Sequence, residues 1–135
     1  MEKITLQEGM ENIAQSNFEI WNHALATKDP DVVAALYSEE VSFLPTLSSK
    51  FIKGGTEAKG YFQHFLEKSP IGEIVEERVR SLGDDAYLHS GKYNFTLGPD
   101  DQRQVVEARF TFAWKKDNQR EWKIIHHHSS IMPKG

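Results

Sequence analysis

Apolar residues in the first 37 positions repeat at steps of three and four, the spacing that places side chains on one stripe of an α-helix. The stripe consists of Leu6, Met10, Ile13, Ala14, Phe18, Trp21 and Leu25. Thr5 followed by Glu8 forms a capping-box pattern at its start. Asp29 and Pro30 restart the chain, because aspartate is a good N-cap and proline is tolerated at the first helical position. We expect a long helix and then a short one that continues to Tyr37.

The next segment combines short strands with a third helix. Residues 41–45 and 51–52 are predicted to be short strands around a polar turn. Gly54 and Gly55 lead into a helix, whose end is predicted at Ser69 because the residue before a proline disfavours helix. Its buried positions have helical spacing: Ala58, Tyr61, Phe62, Phe65 and Leu66.

Apolar and polar residues alternate from residue 71 to the end of the chain, which is typical of half-buried strands. Turn residues near positions 83–85, 98–101 and 115–120 divide this region into four strands, at about 71–82, 86–97, 103–114 and 121–131. A four-strand antiparallel meander must bury one sheet face against the helices. The sequence therefore predicts an α+β fold with three helices packed on a mostly antiparallel sheet.

Composition limits the possible functions more than it identifies one. The chain has 135 residues, a net charge of −4 and no cysteine, which fits a single domain over residues 1–135 and excludes thiolate catalysis. No basic cluster suggests nucleic-acid binding, and no apolar stretch suggests a secretory signal or a membrane span. We expect a cytoplasmic protein with no nucleic-acid or membrane partner.

The most unusual feature is the run of three histidines in the last predicted strand. Strict alternation places His126 and His128 on one face with Trp122 and Ile124, and His127 on the other face with Ile125 and Ser129. A His-x-His pair can fill two metal positions, but zinc needs a third protein ligand, for which only Glu107 or His89 on neighbouring strands are candidates. We expect no bound metal and no cofactor.

Arg109 is the second polar candidate, and two placements are open for it. If the aromatic residues at 110, 112 and 114 pack in the core, Arg109 lies on the opposite face, at the surface or in a subunit interface. If a bulge turns the strand, Arg109 enters a pocket and can bind a carboxylate with both nitrogens. The aromatic residues suited to line such a pocket include Trp21, Phe43, Tyr61, Phe65 and Tyr93, although most aromatic residues belong to the core by default.

The order of elements and the ending Trp122-Lys-Ile-Ile-His-His-His-Ser-Ser-Ile-Met-Pro133 resemble the nuclear transport factor 2-like superfamily. Together with Leu44-Pro45-Thr46 and Ala108-Arg-Phe-Thr-Phe112, they resemble in particular the calcium/calmodulin-dependent protein kinase II association domain and its stand-alone, SnoaL-like bacterial relatives. The resemblance implies a cone of three helices wrapped by a curved sheet, a deep pocket, and assembly into dimers or rings through the sheet. It implies no single reaction, because the superfamily includes isomerases, cyclases, dehydratases and non-enzymatic modules.

Two functional sites known in the superfamily can be compared with this sequence. The base that ketosteroid isomerase-like members place before a proline is here Leu44, which has no proton to exchange, and their oxyanion tyrosine falls near Trp21. The three pocket arginines of the kinase association domains fall near Tyr93, Phe112 and Ser129, none of which is an arginine. Arg109 is the candidate substitute.

Three functional hypotheses follow. The leading one is a homo-oligomeric module that binds a small anionic or aromatic molecule in its cone, with Arg109, Tyr61, Tyr93 and the three histidines 126–128 as candidate polar groups. The alternative is a cyclase, isomerase or dehydratase with His126 or His128 as general acid or base, because an imidazole titrates near neutral pH. The third is a pure assembly domain whose histidine-rich strand lies between subunits.

Overall fold

The computed structural model describes residues 4–135 and shows three helices on one face of a six-stranded sheet, which confirms the α+β prediction. The helices are α1 (Leu6–Ala26), α2 (Pro30–Ala34) and α3 (Gly55–Phe65), with a 3-10 turn at Leu66–Lys68. The strands are β1 (Tyr37–Leu44), β2 (Ile52–Lys53), β3 (Ile71–Ser81), β4 (Ala86–Leu97), β5 (Gln104–Lys116) and β6 (Trp122–Ile131). Their order in the sheet is β2-β1-β6-β5-β4-β3. All neighbours are antiparallel except β1 and β6, which run parallel. Among the described residues, no helix has the length and apolar character needed to cross a membrane.

Both predicted helix starts are confirmed by hydrogen bonds. The Thr5 side chain accepts from the Glu8 backbone N–H at 3.0 Å, and the Asp29 carboxylate accepts from the Asp31 N–H at 2.9 Å. Each bond satisfies one of the backbone donors that the first turn of a helix leaves free. From Met10 onwards the predicted stripe of α1 is turned towards the sheet, where Ala14, Trp21 and Leu25 are fully buried, whereas Leu6 at its start is exposed.

The prediction that the second helix continues to Tyr37 is wrong. Helix α2 ends at Ala34, and Tyr37 is already the first residue of β1, paired with Ile124 of β6. The Ile124 N–H donates to the Leu36 carbonyl at 2.8 Å, so the sheet takes the backbone groups that a longer helix would use. Local helical spacing therefore gives way to a long-range parallel pairing.

The two faces of the sheet differ in character. The inner face packs on the helices and carries the buried side chains of the long strands: Tyr87, His89, Tyr93, Phe95, Phe110, Phe112, Trp114, Ile124, His127 and Ser129. The outer face carries mostly polar and small side chains: Ser90, Lys92, Arg109, Thr111, Ala113, His126, His128 and Ser130. The prediction that His126 and His128 lie opposite His127 and Ser129 is confirmed.

The predicted placement of Ile124 and Ile125 is wrong, because β6 contains a bulge. Ala113 pairs with His126 whereas the next residue, Trp114, pairs with Ile124, so Ile125 is an extra residue in β6. Such an insertion reverses the alternation on one side of the bulge. As a result, Ile124 is buried on the inner face with His127, and Trp122 packs against Tyr87 on that same face instead of lying with His126 and His128. Ile125 lies partly exposed outside.

A second bulge interrupts the pairing of the edge strand β3. The pairing with β4 shifts between Ile74 and Glu76, and the displaced backbone lies against Gly91. The free edge of β3 is covered by α1, because Gln7 bonds to Val79 and Ser81 and Asn22 bonds to Gly72. Side-chain amides thus satisfy backbone groups that a further strand would otherwise pair.

Candidate functional site

A chain of buried polar groups crosses the interior between α1 and the inner face. Trp21 Nε1 lies 3.0 Å from Tyr37 Oη, which lies 2.9 Å from His127 Nδ1. On the other side of the ring, His127 Nε2 lies 3.2 Å from Tyr93 Oη, which donates to Ser129 Oγ. Ser129 in turn bonds to Thr46 Oγ1. We call this series the buried polar chain; its members are Trp21, Tyr37, His127, Tyr93, Ser129 and Thr46.

Donor counting assigns the direction of the buried polar chain. The indole of Trp21 can only donate, so Tyr37 accepts from it and must send its own proton to His127 Nδ1. With Nδ1 accepting, the neutral imidazole carries its proton on Nε2 and donates it to Tyr93. The tautomer of His127 is therefore determined by a tryptophan that does not touch its nitrogens.

Packing around His127 favours the neutral ring. The imidazole is stacked between Phe112 and Phe43, with ring centroids 4.0 and 4.7 Å away and nearly parallel planes. Burial holds the pKa of His127 well below its ordinary value, and the charges of His126 and His128 lower that pKa further. Burial likewise raises the pKa values of the Tyr37 and Tyr93 hydroxyls. The surroundings of His127 are thus neutral and packed, and the polar atoms of the buried polar chain are bonded to one another.

Open space lies beside α3. A cleft of about 750 Å³ has the exposed Leu47 and Phe51 at its rim and Tyr61 and Phe65 in its wall. It is also lined by Lys50, Lys68, Glu57 and His64. Its two lysine ammonium groups outnumber its one carboxylate. We call it the α3 cleft. An apolar wall with cationic groups at the rim suits a small apolar molecule that carries a negative charge.

Two local features shape the α3 cleft. Leu47 has a φ of 66°, a left-handed conformation that is unfavourable for a leucine and that projects its side chain into solvent at the rim. The Tyr61 hydroxyl donates to the Thr46 carbonyl at 3.0 Å, and burial raises its pKa. Because Thr46 is also the last member of the buried polar chain, the cleft wall is tied to the packed interior.

A polar groove of about 680 Å³ lies between α1 and the edge strand β3. Glu11, Gln15, Glu77 and Arg78 are among the residues that line it. Beneath it, His89 Nε2 lies 2.9 Å from Glu77 Oε1, and burial lowers the pKa of His89 although Glu77 acts in the opposite direction. His89 therefore faces inwards and is not available to complete a metal site with His126 and His128.

The structure separates the residues that the sequence proposed as one site. Tyr61 and Phe65 line the α3 cleft. Trp21, Phe43 and Tyr93 belong to the packed interior, with exposed fractions of 2% or less. The catalytic candidates His126 and His128 lie on the outer face, as does Arg109, because Phe110, Phe112 and Trp114 fill the core side of β5. The first of the two open placements of Arg109 is thus the observed one.

Other members of the site were not found from the sequence. Tyr37, Thr46 and Ser129 join the buried polar chain through partners that are 16 to 90 positions distant, which no local pattern indicates. The positions where the kinase association domains are expected to carry arginines hold Tyr93, Phe112 and Ser129, and here these residues build the neutral interior.

Comparison with known proteins agrees with this architecture. The family model described as calcium/calmodulin dependent protein kinase II association domain matches residues 10–133. A solved structure from Xanthomonas campestris, described by the same family name, is 40% identical, covers 90% of this chain and 87% of its own, and superposes with a TM-score of 0.86. No match was found among curated proteins.

More distant structures show the same fold. A nuclear transport factor 2-like superfamily protein from Salmonella enterica is 20% identical, with 91% of each chain covered and a TM-score of 0.76. An uncharacterised protein with a cystatin-like fold from Caulobacter vibrioides is 18% identical, covers 91% of this chain and 89% of its own, and has a TM-score of 0.73. These likenesses show the same fold, and they carry no information on ligand or reaction.

Proposed function

The chain belongs to the calcium/calmodulin dependent protein kinase II association domain family, and on this basis we propose that it is a homo-oligomeric module that binds a small anionic or aromatic molecule. The α3 cleft is the observation that supports binding. It combines apolar walls, exposed Leu47 and Phe51, and two lysines in a volume suited to a small molecule. The interior between the helices and the sheet is filled by the buried polar chain and the aromatic core, so the ligand is expected in the α3 cleft, in contact with Tyr61 and Phe65.

Binding is tested with benzoate and octanoate as anionic probes and with benzyl alcohol as the uncharged control. We expect saturating benzoate or octanoate to raise the melting temperature by a few degrees, because a ligand at about ten times its Kd stabilises the native state by about 1.4 kcal/mol. Replacing Lys68 with glutamine should weaken probe binding about two- to fivefold, as expected for a rim charge that water partly screens.

The matched control for Lys68→Gln is Lys115→Gln, which removes the same charge from the exposed end of β5, away from the cleft. Lys115→Gln should leave probe affinity unchanged in isothermal titration calorimetry. Equal losses in both variants would mean that only the overall charge of the protein matters, and no thermal shift with either acid would contradict ligand binding at the α3 cleft.

Self-association through the outer face is the second part of the proposal, and the family membership supports it. Thr111 lies in the middle of that face, between Ser90 of β4 and His128 of β6. A long cation at this point would hold a second copy away and would bury an unpaired charge if the copies met. In size-exclusion chromatography with light-scattering detection, we expect the wild-type chain to have the mass of a dimer or a larger ring. Thr111→Arg should have the mass of a single chain.

The control for Thr111→Arg is Ser16→Arg on the exposed side of α1, a similar small-to-cationic change outside the sheet. It should keep the wild-type mass. A monomeric wild-type chain, or an oligomer that persists in Thr111→Arg, would refute assembly through this face.

The enzymatic alternative stays a prediction. It needs His126 or His128 beside a bound substrate, and the hydrogen bonds of the described residues connect His126 to Ser42 on the outer face. No observed contact links either imidazole to the α3 cleft within residues 4–135.

A further inference from the structure

His126 and His128 form a pair of imidazoles on a rigid part of the outer face. From His126 to His128, β6 pairs without interruption with Ala113, Phe112 and Thr111 of β5 and with residues 42–44 of β1. Two side chains separated by one residue on a strand point the same way and start about 7 Å apart. Imidazoles of this length can converge on one ion at metal–nitrogen distances of about 2 Å.

Ser42 holds one of the two rings in a defined orientation. Its Oγ lies 2.7 Å from His126 Nδ1, so that nitrogen is occupied on the protein side. When Nδ1–H donates to Ser42, the lone pair of Nε2 is free on the outer face. Metal-binding histidines commonly have this kind of partner on the second ring nitrogen, which fixes the ring and its tautomer.

The side chains around the pair are mostly short. The neighbours across β5 and β1 are Ala113, Thr111 and Ser42, with Leu44 of β1 as the one larger side chain, paired with His128. The positively charged Arg109 and Lys115 lie on β5 beyond the two ends of the pair. Binding of a cation would therefore depend on coordination by the imidazoles and not on electrostatic attraction by the surrounding charges.

We propose that His126 Nε2 and a ring nitrogen of His128 chelate one divalent transition ion, of the Zn²⁺, Ni²⁺ or Cu²⁺ class, positioned by the contact between Ser42 and His126. Imidazole nitrogen suits these ions better than Mg²⁺ or Ca²⁺, and Cu²⁺ should bind most tightly of the series. Among the described residues no cluster of three or more ligating side chains exists, so water or a second copy would complete the coordination. The inference does not depend on the α3 cleft. Because the pair lies on the face proposed for self-association, its test uses the assembled protein.

The test titrates the full chain, without an affinity tag, with Ni²⁺ by calorimetry and with Cu²⁺ by electron paramagnetic resonance. We expect saturable binding and a Cu²⁺ spectrum with two coordinated nitrogens. His128→Ala and His126→Ala should each lower the affinity about tenfold or more and remove one nitrogen from the spectrum. In each variant the ion is held by one imidazole instead of two. Ser42→Ala should weaken binding about tenfold while it keeps both nitrogens, because it frees the ring without removing it.

The matched control is His23→Ala, which removes an exposed histidine from α1. It should bind Ni²⁺ as the wild-type chain does. The proposal is overturned if His126→Ala and His128→Ala both keep wild-type affinity, if the Cu²⁺ spectrum of the wild-type chain shows a single nitrogen, or if His23→Ala loses as much affinity as they do. Circular dichroism melts of every variant establish that a loss of binding is not a loss of fold.

Discussion

Replacing Gly91 with alanine is expected to destabilise the protein by about 3 kcal/mol or more, a large part of the stability of an ordinary domain. A Cβ at this position would lie 1.9 Å from the Glu76 carbonyl oxygen and 2.9 Å from the Glu77 Cα. Both are backbone atoms of the bulged edge strand, so no side-chain rotation can relieve the clash. Urea denaturation followed by circular dichroism measures the loss.

Gly60→Ala is the matched control for this prediction. Gly60 lies within α3, and a Cβ there would have no atom within 4 Å. Alanine should stabilise the helix by about 0.5–1 kcal/mol, because it reduces the freedom of the unfolded chain. If Gly91→Ala cost less than about 1 kcal/mol, the bulge of β3 would not lie against β4 as observed.

Gly91 also shows how far a sequence can indicate a bulge. A glycine inside a strand often marks a position that another backbone segment approaches closely. At Gly91 that segment is the bulge of β3 at Glu76. The bulge of β6 has no such marker, because the inserted residue is Ile125, an ordinary strand former. The prediction therefore placed Ile124 on the wrong face while it placed His127 and Ser129 correctly.

Most of the fold could be predicted because its signals are local. Turn residues divide the last half of the chain into strands, and the observed bounds of β3 to β6 lie within two residues of the predicted ones. The start of β1 could not be predicted from the same kind of signal. Helical spacing extends to Tyr37. That residue belongs to a strand only because it pairs in parallel with Ile124, which lies 87 positions later in the chain.

The site was predicted less well than the fold, because it depends on which side chains meet. Aromatic content drew attention to residues on the inner side of the sheet and on the helices, but it could not divide them between the interior and the α3 cleft. Trp21 and Tyr93 carry polar atoms that a ligand could use, and both atoms are instead occupied within the protein. Tyr61 stays in the wall of the cleft, where its hydroxyl donates a hydrogen bond to the Thr46 carbonyl.

The direction of the buried polar chain gives it a property that its members do not have singly. Each hydroxyl or ring accepts one proton and donates another, so the removal of one member leaves the group before it without an acceptor. A buried donor left in this way costs about 1–3 kcal/mol. Protonation of His127 has the same effect as a deletion, because Nδ1–H would then face the hydroxyl proton of Tyr37.

The stability of the protein is therefore expected to fall as the pH drops below about 6.5. His127 should contribute about one proton to the difference in bound protons between the unfolded and the native state, which sets the slope. Burial places the folded-state pKa of His127 well below the value in the unfolded chain. Between the two pKa values the unfolded chain binds a proton that the native state does not, so stability is full above the unfolded pKa and declines below it by about 1.4 kcal/mol per pH unit. Urea denaturation at pH 7.5, 6.5, 5.5 and 5.0 measures the slope.

In His127→Gln the slope should be smaller by that one proton, although the variant is less stable than the wild-type chain at pH 7.5 because it loses the stack between Phe43 and Phe112. His89 and His126, whose pKa values burial also lowers, keep their share of the dependence in both proteins. His23→Gln makes the same chemical change at an exposed position of α1 and should retain the wild-type slope. A wild-type slope in His127→Gln would mean that the native ring accepts the proton, and the donor order from Trp21 to Thr46 would then be wrong.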